Sequence, residues 1–352
     1  MDFKIKNRKI GDGHPAFIIA EMSGNHNHSL SKAKKIVDAV AKSGADAIKL
    51  QTYTPDTLTI DVHNKYFTIK SNNIWKGKNL YELYKKAYTP WEWQEEIKKY
   101  SEKKGLICFS TPFDETAVDF LEKMKVPLYK VASFEIQDLE LLARIGKTKK
   151  PVIISRGLAS KDDIENAIKT LKRAGSKNIV VLHCISAYPA KLADMNVRTV
   201  SDIRKTFKVL SGLSDHSISH TATIAAIAQG ACVIEKHITL KRSDGGPDAE
   251  FSLEPLEFKQ LVKEIRDTEL ALGKVSYEIG KNEKNNVVFR RSIFAVEDIQ
   301  KGEKITRKNI RVIRPGYGLP PTELKKVLGS VANKNIKKGN PILWPLIQKK
   351  TK

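Results

Sequence analysis

The sequence is short of cysteine, of long apolar runs and of acidic charge. Only three cysteines occur, Cys108, Cys184 and Cys232. They cannot all pair, and each sits in an apolar run, as buried free thiols do. A disulfide-built secreted domain is therefore excluded, and a reducing, cytoplasmic setting is expected. No apolar run reaches the roughly 18 residues that a membrane span needs, so no membrane partner is expected. The N-terminal stretch Met1-Asp2-Phe3-Lys4-Ile5-Lys6 has no apolar core of a secretory leader. Low-complexity tracts and short repeats are missing, which argues against disorder and against a solenoid. Acidic residues number 40 against 62 Lys+Arg, leaving a net charge of +22. The lysines are scattered, for example KAKK at 32–35, KTKK at 147–150 and NKNIKKG at 333–339. A nucleic-acid footprint is a concentrated patch or a recognisable motif, and neither is present, so nucleic acid is not an expected partner. Solvated helix faces are one reading of the charge, and a positive field that steers an anionic substrate is another.

What is present is a long alternation. The chain has 352 residues, 41% of them hydrophobic, enough to bury roughly 75% of the surface its unfolded form exposes. Eight short apolar runs stand at Phe17–Ala20, Ala45–Leu50, Leu106–Phe109, Pro127–Ala132, Val152–Ile154, Ile179–Leu182, Val209–Leu213 and Ala231–Ile234. Near-continuous apolar runs of this length suit strands of a parallel sheet covered on both faces. Between them lie amphipathic stretches. Ser31–Ser43 places Ala33, Ile36, Val37 and Val40 on one stripe and stops at Gly44; Asp162–Ala174 repeats the design and stops at Gly175. Thr221–Gln229 and Glu254–Leu272 read as further helices. Eight such units predict a (β/α)8 TIM barrel, which needs about 250 residues. A doubly wound sheet is the rival, but Glu21-Met22-Ser23-Gly24-Asn25 after the first run is no dinucleotide fingerprint. Composition shifts at the polar stretch KNEKNN. The expected division is a barrel over 1–280, a linker over 281–287, and a small β-rich domain over 288–352 with Lys-Gly turns.

Barrel chemistry sits at the C-terminal ends of the strands. Those ends carry Glu21, then Lys49 and Gln51, Ser110 and Thr111, Lys130 with Ser133 and Glu135, and Ser155 with Arg156. They continue with His183 and Ser186, Ser214-Asp215-His216, and Glu235-Lys236-His237. All eight ends being polar predicts one convergent pocket. A buried lysine is costly without an anionic partner. Lys49 and Lys130, with hydroxyls from Thr111, Ser133, Ser186 and Ser214, therefore predict a site for a multiply charged anion such as a phosphate. Pairing of each lysine with Glu21 or Glu135 is the alternative, and it need not exclude the first. His216 and His237 end neighbouring strands. Imidazoles suit a divalent transition metal, and two of them would leave positions open for a substrate. Hydrogen-bonded polar histidines are the other reading. His26 and His28 lie in the first loop, where substrate contact and plain loop polarity both remain open. Asp248, after the turn-forming Gly-Gly-Pro, either overhangs the barrel mouth or only stabilises its turn.

These residues, in this order, resemble the sialic acid synthase family. The likeness runs through FIIAE (17–21), SGNHN (23–27), KLQTY (49–53), FSTPFD (109–114), YKVAS (129–133), HCISAYP (183–189), GLSDH (212–216), IEKH (234–237) and GPD (246–248). It continues through RRSIFAVEDIQKGE and IRPGYG in the small domain, which resembles type III antifreeze protein (the SAF domain). The segment 52–93, with TYTPDTLTI, the IW at 74–75 and LYELYKKAYTPWEW, most resembles pseudaminic acid synthases. The resemblance implies a transferase that condenses phosphoenolpyruvate with 2,4-diacetamido-2,4,6-trideoxy-L-altrose and releases phosphate. N-acetylneuraminate or legionaminate synthesis is the alternative, and a non-catalytic sugar-binding protein the remote one. By the same resemblance, His216 and His237 hold a divalent metal, Mn2+ before Mg2+ or Co2+. Lys49, Thr111, Lys130, Ser133, Ser186 and Ser214 hold phosphoenolpyruvate, and Glu21 opposes the positive charge that develops during reaction. Glu135, Tyr188 and Asp248 contact the sugar, and Arg314 reaches it from the partner of a domain-swapped homodimer. Two residues depart from the family pattern: Arg156 stands where many members have threonine, and Ser186 where some have asparagine.

Overall fold

A computed structural model describes residues 1–70 and 74–348. Residues 71–73, within the 52–93 segment, and 349–352, at the end of the expected 288–352 domain, lie outside the described residues. The chain forms two compact units, Met1–Gly273 and a second from Lys274 onward.

In the first unit, a hairpin of β1 (Asp2–Ile5) and β2 (Arg8–Gly11) precedes eight parallel strands. These are β3 (Phe17–Glu21), β4 (Ala47–Thr52), β5 (Ile107–Pro112), β6 (Tyr129–Val131), β7 (Val152–Ser155), β8 (Ile179–Cys184), β9 (Leu210–Asp215) and β10 (Val233–His237). They close on themselves through the pairing of β10 with β3. The barrel expected from the eight apolar runs is the one observed. Each strand begins within one of those runs and extends one to three residues past it in most cases, into the polar positions.

The period of two along a strand sorts the side chains. Phe17 and Ile19 of β3 join Ala47, Phe109 and Tyr129 in one buried cluster, with Ile5 and Ile10 of the hairpin packed among them. Ile18, Ala20, Ile48 and Cys108 join the helix residues Ala33, Ile36, Val37 and Val40 in the other. The apolar stripe read from sequence is thus the face that the helix Leu30–Ser43 lays on the sheet. That helix starts earlier than the sequence pattern suggested, because Ser29 caps it by accepting from the Lys32 amide at 3.2 Å. It ends at Gly44, where φ is +85°, a conformation that glycine adopts without steric cost. Among the described residues no helix is long and apolar enough to cross a membrane.

The second unit opens with a 3-10 helix over Lys281–Phe289. Strands β11 (Ser292–Ala295) and β12 (Ile310–Ile313) pair antiparallel, as do β13 (Val331–Ala332) and β14 (Ile347–Gln348). Ile293, Ile299, Ile305, Ile310, Ile336 and Ile342 form its core. The Lys-Gly turns put Gly302 and Gly339 at positive φ.

Candidate functional site at the barrel mouth

Strand register assembles the site. Opposite Glu21 stand His237 on one side and Lys49 on the other. Glu235 faces Ser214 in the same way. The inward positions of these strand ends are therefore a ring of ionisable groups, and burial forces them to satisfy one another.

Lys49 Nζ lies 2.9 Å from Glu21 Oε2, 3.5 Å from Glu235 Oε1 and 3.2 Å from the Thr111 hydroxyl, to which it donates. Lys130 Nζ donates to the Ser155 hydroxyl at 2.7 Å and to the Val131 carbonyl at 3.0 Å, with Glu235 Oε1 at 3.9 Å. Glu235 thus bridges the two lysines, and it also accepts from the Ser214 hydroxyl at 3.1 Å. Glu21 Oε1 accepts from the Gln51 amide at 3.0 Å and from the Ser23 backbone at 3.1 Å. Glu21, Lys49, Lys130 and Glu235 are all buried.

Burial decides which form each group holds. Desolvation pushes the Glu21 carboxyl up to about 7, against the pull of Lys49. Desolvation opposes ionisation of Glu235 too, but Lys130 and Lys49 outweigh it and hold that carboxyl below its ordinary value. Lys49 is opposed by burial yet raised by Glu21 and Glu235. Lys130 is pulled down by burial, only partly offset by Glu235. An arriving anion would supply the compensation that Lys130 lacks.

Above this floor opens a cavity of about 370 Å3. Of the residues singled out in the sequence, Lys49, Lys130, Ser133, Glu135, Tyr188, Ser214, His216, His237 and Asp248 line it. Glu21 and Thr111 are not among the lining residues, and both contact Lys49 Nζ at the cavity floor. Ser186 reaches the lining through Ser133, their hydroxyls 2.9 Å apart. Glu135 is pushed up to about 7 by burial, and its Oε2 has no hydrogen-bond partner among the described residues. Arg314 is exposed at the end of β12, in the second unit.

The two imidazoles stand with ring centroids 5.3 Å apart. His216 Nδ1 is 2.9 Å from the Ile185 carbonyl, to which it donates; against desolvation, Cys184 and that carbonyl hold this imidazole above its ordinary value, so Nε2 becomes free for a metal when the ring gives up its proton. Desolvation, with His216 beside it, holds the His237 imidazole well below its ordinary value, in the neutral form a metal requires. His237 Nδ1 is buried without a hydrogen bond, and Asp248 Oδ2 stands 3.9 Å away. This orphaned nitrogen fits a pair of imidazole ligands. Among the described residues no three His, Cys, Asp or Glu side chains converge on one ion position, so water or substrate would complete such a site.

Several groups were missed as site residues. Glu235 is the bridge between the lysines. The signal for it was alternation: with His237 at the mouth, Glu235 two residues back shares its face, whereas Lys236 turns outward to pair with Asp215 at 2.8 Å. Ser155 accepts from Lys130, which leaves its own hydroxyl hydrogen free for an anion. By contrast, Ser214 spends its hydrogen on Glu235. Cys184 and an aromatic rim of Tyr53, Trp75, Tyr84 and Phe113 also line the cavity.

Two ambiguities resolve against the pocket. Arg156 does not line it; its Nε donates to His183 Nδ1 at 3.1 Å. His26 is buried behind the loop. Its Nδ1 accepts from the His28 amide at 3.1 Å, so Nε2 donates to the Thr89 hydroxyl at 3.0 Å. Burial lowers its pKa to about 4. A histidine held neutral in the fold, but protonated below 6.5 when unfolded, contributes stability that is lost as pH falls from about 6.5 to about 4. The stability difference between the wild type and His26→Gln is therefore expected to be constant above pH 7. It should shrink by about 3 kcal/mol on acidification to pH 4, as read from urea unfolding at each pH. A difference independent of pH would show that His26 titrates normally in the fold.

The chain matches the NeuB family over residues 36–277 and the SAF domain over residues 290–348. It is 42% identical over 329 residues to a pseudaminic acid synthase of Helicobacter pylori, covering 93% of this chain and 96% of that protein. It is 36% identical to an N,N'-diacetyllegionaminic acid synthase of Legionella pneumophila, covering 97% and 99%. Among solved structures, the N-acetylneuraminic acid (sialic acid) synthetase of Leptospira borgpetersenii in complex with citrate is 32% identical. It superposes with a TM-score of 0.73, covering 82% of this chain and 95% of that one.

Proposed function

The chain belongs to the NeuB family, and from that premise we propose that it condenses phosphoenolpyruvate with 2,4-diacetamido-2,4,6-trideoxy-L-altrose to give pseudaminic acid and phosphate. The observation that carries the reading is the floor of the cavity. Two buried lysines and two buried carboxylates meet there, with Lys130 short of compensating charge and hydroxyls turned towards it. Such a floor wants an anion above it.

In this mechanism Lys49 and Lys130 bind the phosphate and carboxylate of phosphoenolpyruvate, helped by Thr111, Ser133 and Ser186 and by Ser214, whose hydrogen turns from Glu235 to the anion. Carbon 3 of the enol forms a bond to the aldehyde carbon of the open-chain sugar, whose oxygen takes a proton and becomes a hydroxyl. The electron pair leaves carbon 2 with oxocarbenium character. Glu21 opposes that charge and takes the proton of the water that adds there. The C–O bond to phosphate then breaks: its electron pair leaves with the phosphate, which takes the proton of the new carbon 2 hydroxyl, and carbon 2 becomes a ketone. His216 and His237 would hold a divalent ion, Mn2+ before Mg2+ or Co2+, whose contribution is Lewis-acid polarisation of the aldehyde oxygen. Glu135, Tyr188 and Asp248 position the sugar, and Arg314 of a second copy in a domain-swapped homodimer completes its contacts.

The test is phosphate release from phosphoenolpyruvate with Mn2+ and one of three sugars: the altrose above, 2,4-diacetamido-2,4,6-trideoxy-D-mannose, or N-acetylmannosamine. Release with the altrose alone, abolished by chelation and restored by metal, is the expected result. Release only with the mannose-configured diacetamido sugar would move the chain to legionaminate synthesis, a reading favoured by its 36% identity to such an enzyme. Release with none would overturn the synthase reading.

A further inference from the structure

We infer that Asn25 is a positioning residue: its side-chain amide staples the chain that follows β10 to the loop after β3, and so holds Asp248 where the sugar binds. The inference rests on the synthase reading above and adds to it the group that aims Asp248.

The motif SGNHN (23–27) lies in a loop of unusual backbone. Ser23, Asn27 and His28 take φ of +46°, +48° and +52°. Residues other than glycine keep such conformations where surrounding bonds over-determine them. Those bonds divide the motif in two. Its odd positions all reach the chain that follows β10. The Ser23 hydroxyl donates to Asp248 Oδ2. Asn25 Nδ2 donates to the Ile238 carbonyl at 2.8 Å and to the Ser252 hydroxyl at 2.9 Å. Asn27 Nδ2 donates to the Asp244 and Gly245 carbonyls at 3.3 and 3.1 Å. The histidines turn the other way. His26 bonds the Thr89 hydroxyl, and the His28 ring stands 5.0 Å from that of Tyr88. The loop is thus a two-sided clamp, anchored by its histidines and gripping through Ser23, Asn25 and Asn27.

Asn25 is the centre of that grip. It is fully buried, and both hydrogens of its amide are used. Its Oδ1 has no hydrogen bond among the described residues. A buried amide whose oxygen goes unmet is kept for its nitrogen, and no other side chain of that length offers two hydrogens from one atom. One of them fixes Ile238, whose own N–H donates to the Glu21 carbonyl at 3.0 Å. The other starts a relay. Ser252, having accepted from Asn25, gives its hydrogen to the Asp248 carbonyl at 2.6 Å.

Asp248 is therefore held twice from one loop, its backbone through Asn25 and Ser252 and its carboxyl through Ser23. It lines the cavity, with Oδ2 3.9 Å from His237 Nδ1. A binding group whose backbone and side chain are both locked keeps its place before the substrate arrives, which spares the cost of ordering it on binding. The floor is held by other bonds. Lys49 meets Thr111 and Glu235, and Lys130 meets Ser155. Loosening the Asn25 relay should then weaken the hold on the sugar and leave the hold on phosphoenolpyruvate as it was.

The experiment measures phosphate release, with KM for each substrate, in Asn25→Ala, Ser252→Ala and Asp248→Ala and in the two doubles that contain Asp248→Ala. Ser252→Ala removes one hydroxyl and keeps the bond from Asn25 to Ile238, so it reports on the relay even where Asn25→Ala fails to fold. A binding group displaced by about 1 Å loses about 10²-fold. That is the expected fall in kcat/KM for the sugar in Asn25→Ala, with about tenfold in Ser252→Ala and KM for phosphoenolpyruvate unchanged. Once Asp248 is gone, neither substitution should lower kcat/KM further, because residues that act through one group are not additive. Losses that persist in full beside Asp248→Ala would overturn the inference and leave the synthase reading standing. So would KM values that rise together for both substrates. No release by the wild type with any of the three sugars would overturn both.

Discussion

Glu21→Gln is expected to lower kcat for phosphate release by about 10²–10⁴-fold, the range of a positioned acid–base group, while phosphoenolpyruvate binds at least as tightly as before. The substitution keeps the side chain's volume and an oxygen acceptor for Gln51 and the Ser23 amide, now 3.0 and 3.1 Å away. It removes the charge and sets an NH2 donor, in place of an acceptor, beside Lys49 Nζ. Lys49 then loses its partner at 2.9 Å but keeps Glu235 at 3.5 Å, so the site does not strand an ammonium in the protein interior. With one negative charge fewer beside Lys49, an anion above it meets less repulsion. What the variant lacks is a carboxylate to oppose the cation at carbon 2 and to take the proton of the attacking water. A carboxyl poised at about 7 by burial is suited to that exchange near neutral pH. Single-turnover phosphate release and calorimetric binding of phosphoenolpyruvate separate the two effects. A variant that binds less tightly but reacts at the wild-type rate would reduce Glu21 to a counter-ion for Lys49.

How far the site could be read from sequence follows the range of the forces that build it. Near-continuous runs such as Ile179–Leu182 disclosed the strands, because a strand covered on both faces has no polar option. Reading the ends of the runs and up to three residues beyond them then reached Glu21, Lys49, Lys130, His216 and His237, since a barrel sends its strand ends to a common mouth. Facing was harder. Asp215 and Lys236 look as functional as their neighbours, yet they pair with each other at 2.8 Å, fully buried away from the cavity. Only the period of two, applied backwards from His237, picks out Glu235. The apolar part of the lining was out of reach for another reason. Leu58, Ile69 and Leu80 carry no chemistry individually, and only the fold gathers them at the cavity. Arg156 shows the same limit: its position beside the pocket was legible, but its bond to His183 depends on a loop that sequence does not orient.

That loop carries the second large effect. Gly157→Ala is expected to lower kcat/KM for phosphoenolpyruvate by about 10²-fold, the scale of an ångström-sized displacement of binding groups. A Cβ at Gly157 would stand 2.1 Å from Ser133 Cβ, 2.6 Å from Ser186 Oγ and 2.7 Å from Ser133 Oγ. No methyl group fits there, so either the serines or the loop must move. The loop is anchored on both sides. The Arg156 amide donates to the Leu182 carbonyl at 3.0 Å, its Nε holds His183, and His183 Nε2 lies 2.6 Å from the Met195 carbonyl. The serine pair is held by its own bond of 2.9 Å and by Tyr188 beside Ser186, and because Ser133 Cβ moves only with its backbone, relief of the overlap carries the hydroxyls from the place where the phosphoenolpyruvate would sit. Gly157 also has φ of +31°, so part of any loss is backbone strain, and a control must remove that part. Gly105→Ala supplies it: φ there is +85° and nothing lies within 4 Å of the added Cβ. Gly105→Ala should lose about 1 kcal/mol of stability in urea unfolding, Gly157→Ala should lose more because Ser133 Cβ lies in the way, and only Gly157→Ala should lose affinity for phosphoenolpyruvate. If the two variants bind it alike, Ser133 and Ser186 do not hold the anion, and the floor must do so through Lys49, Lys130 and Ser155 alone.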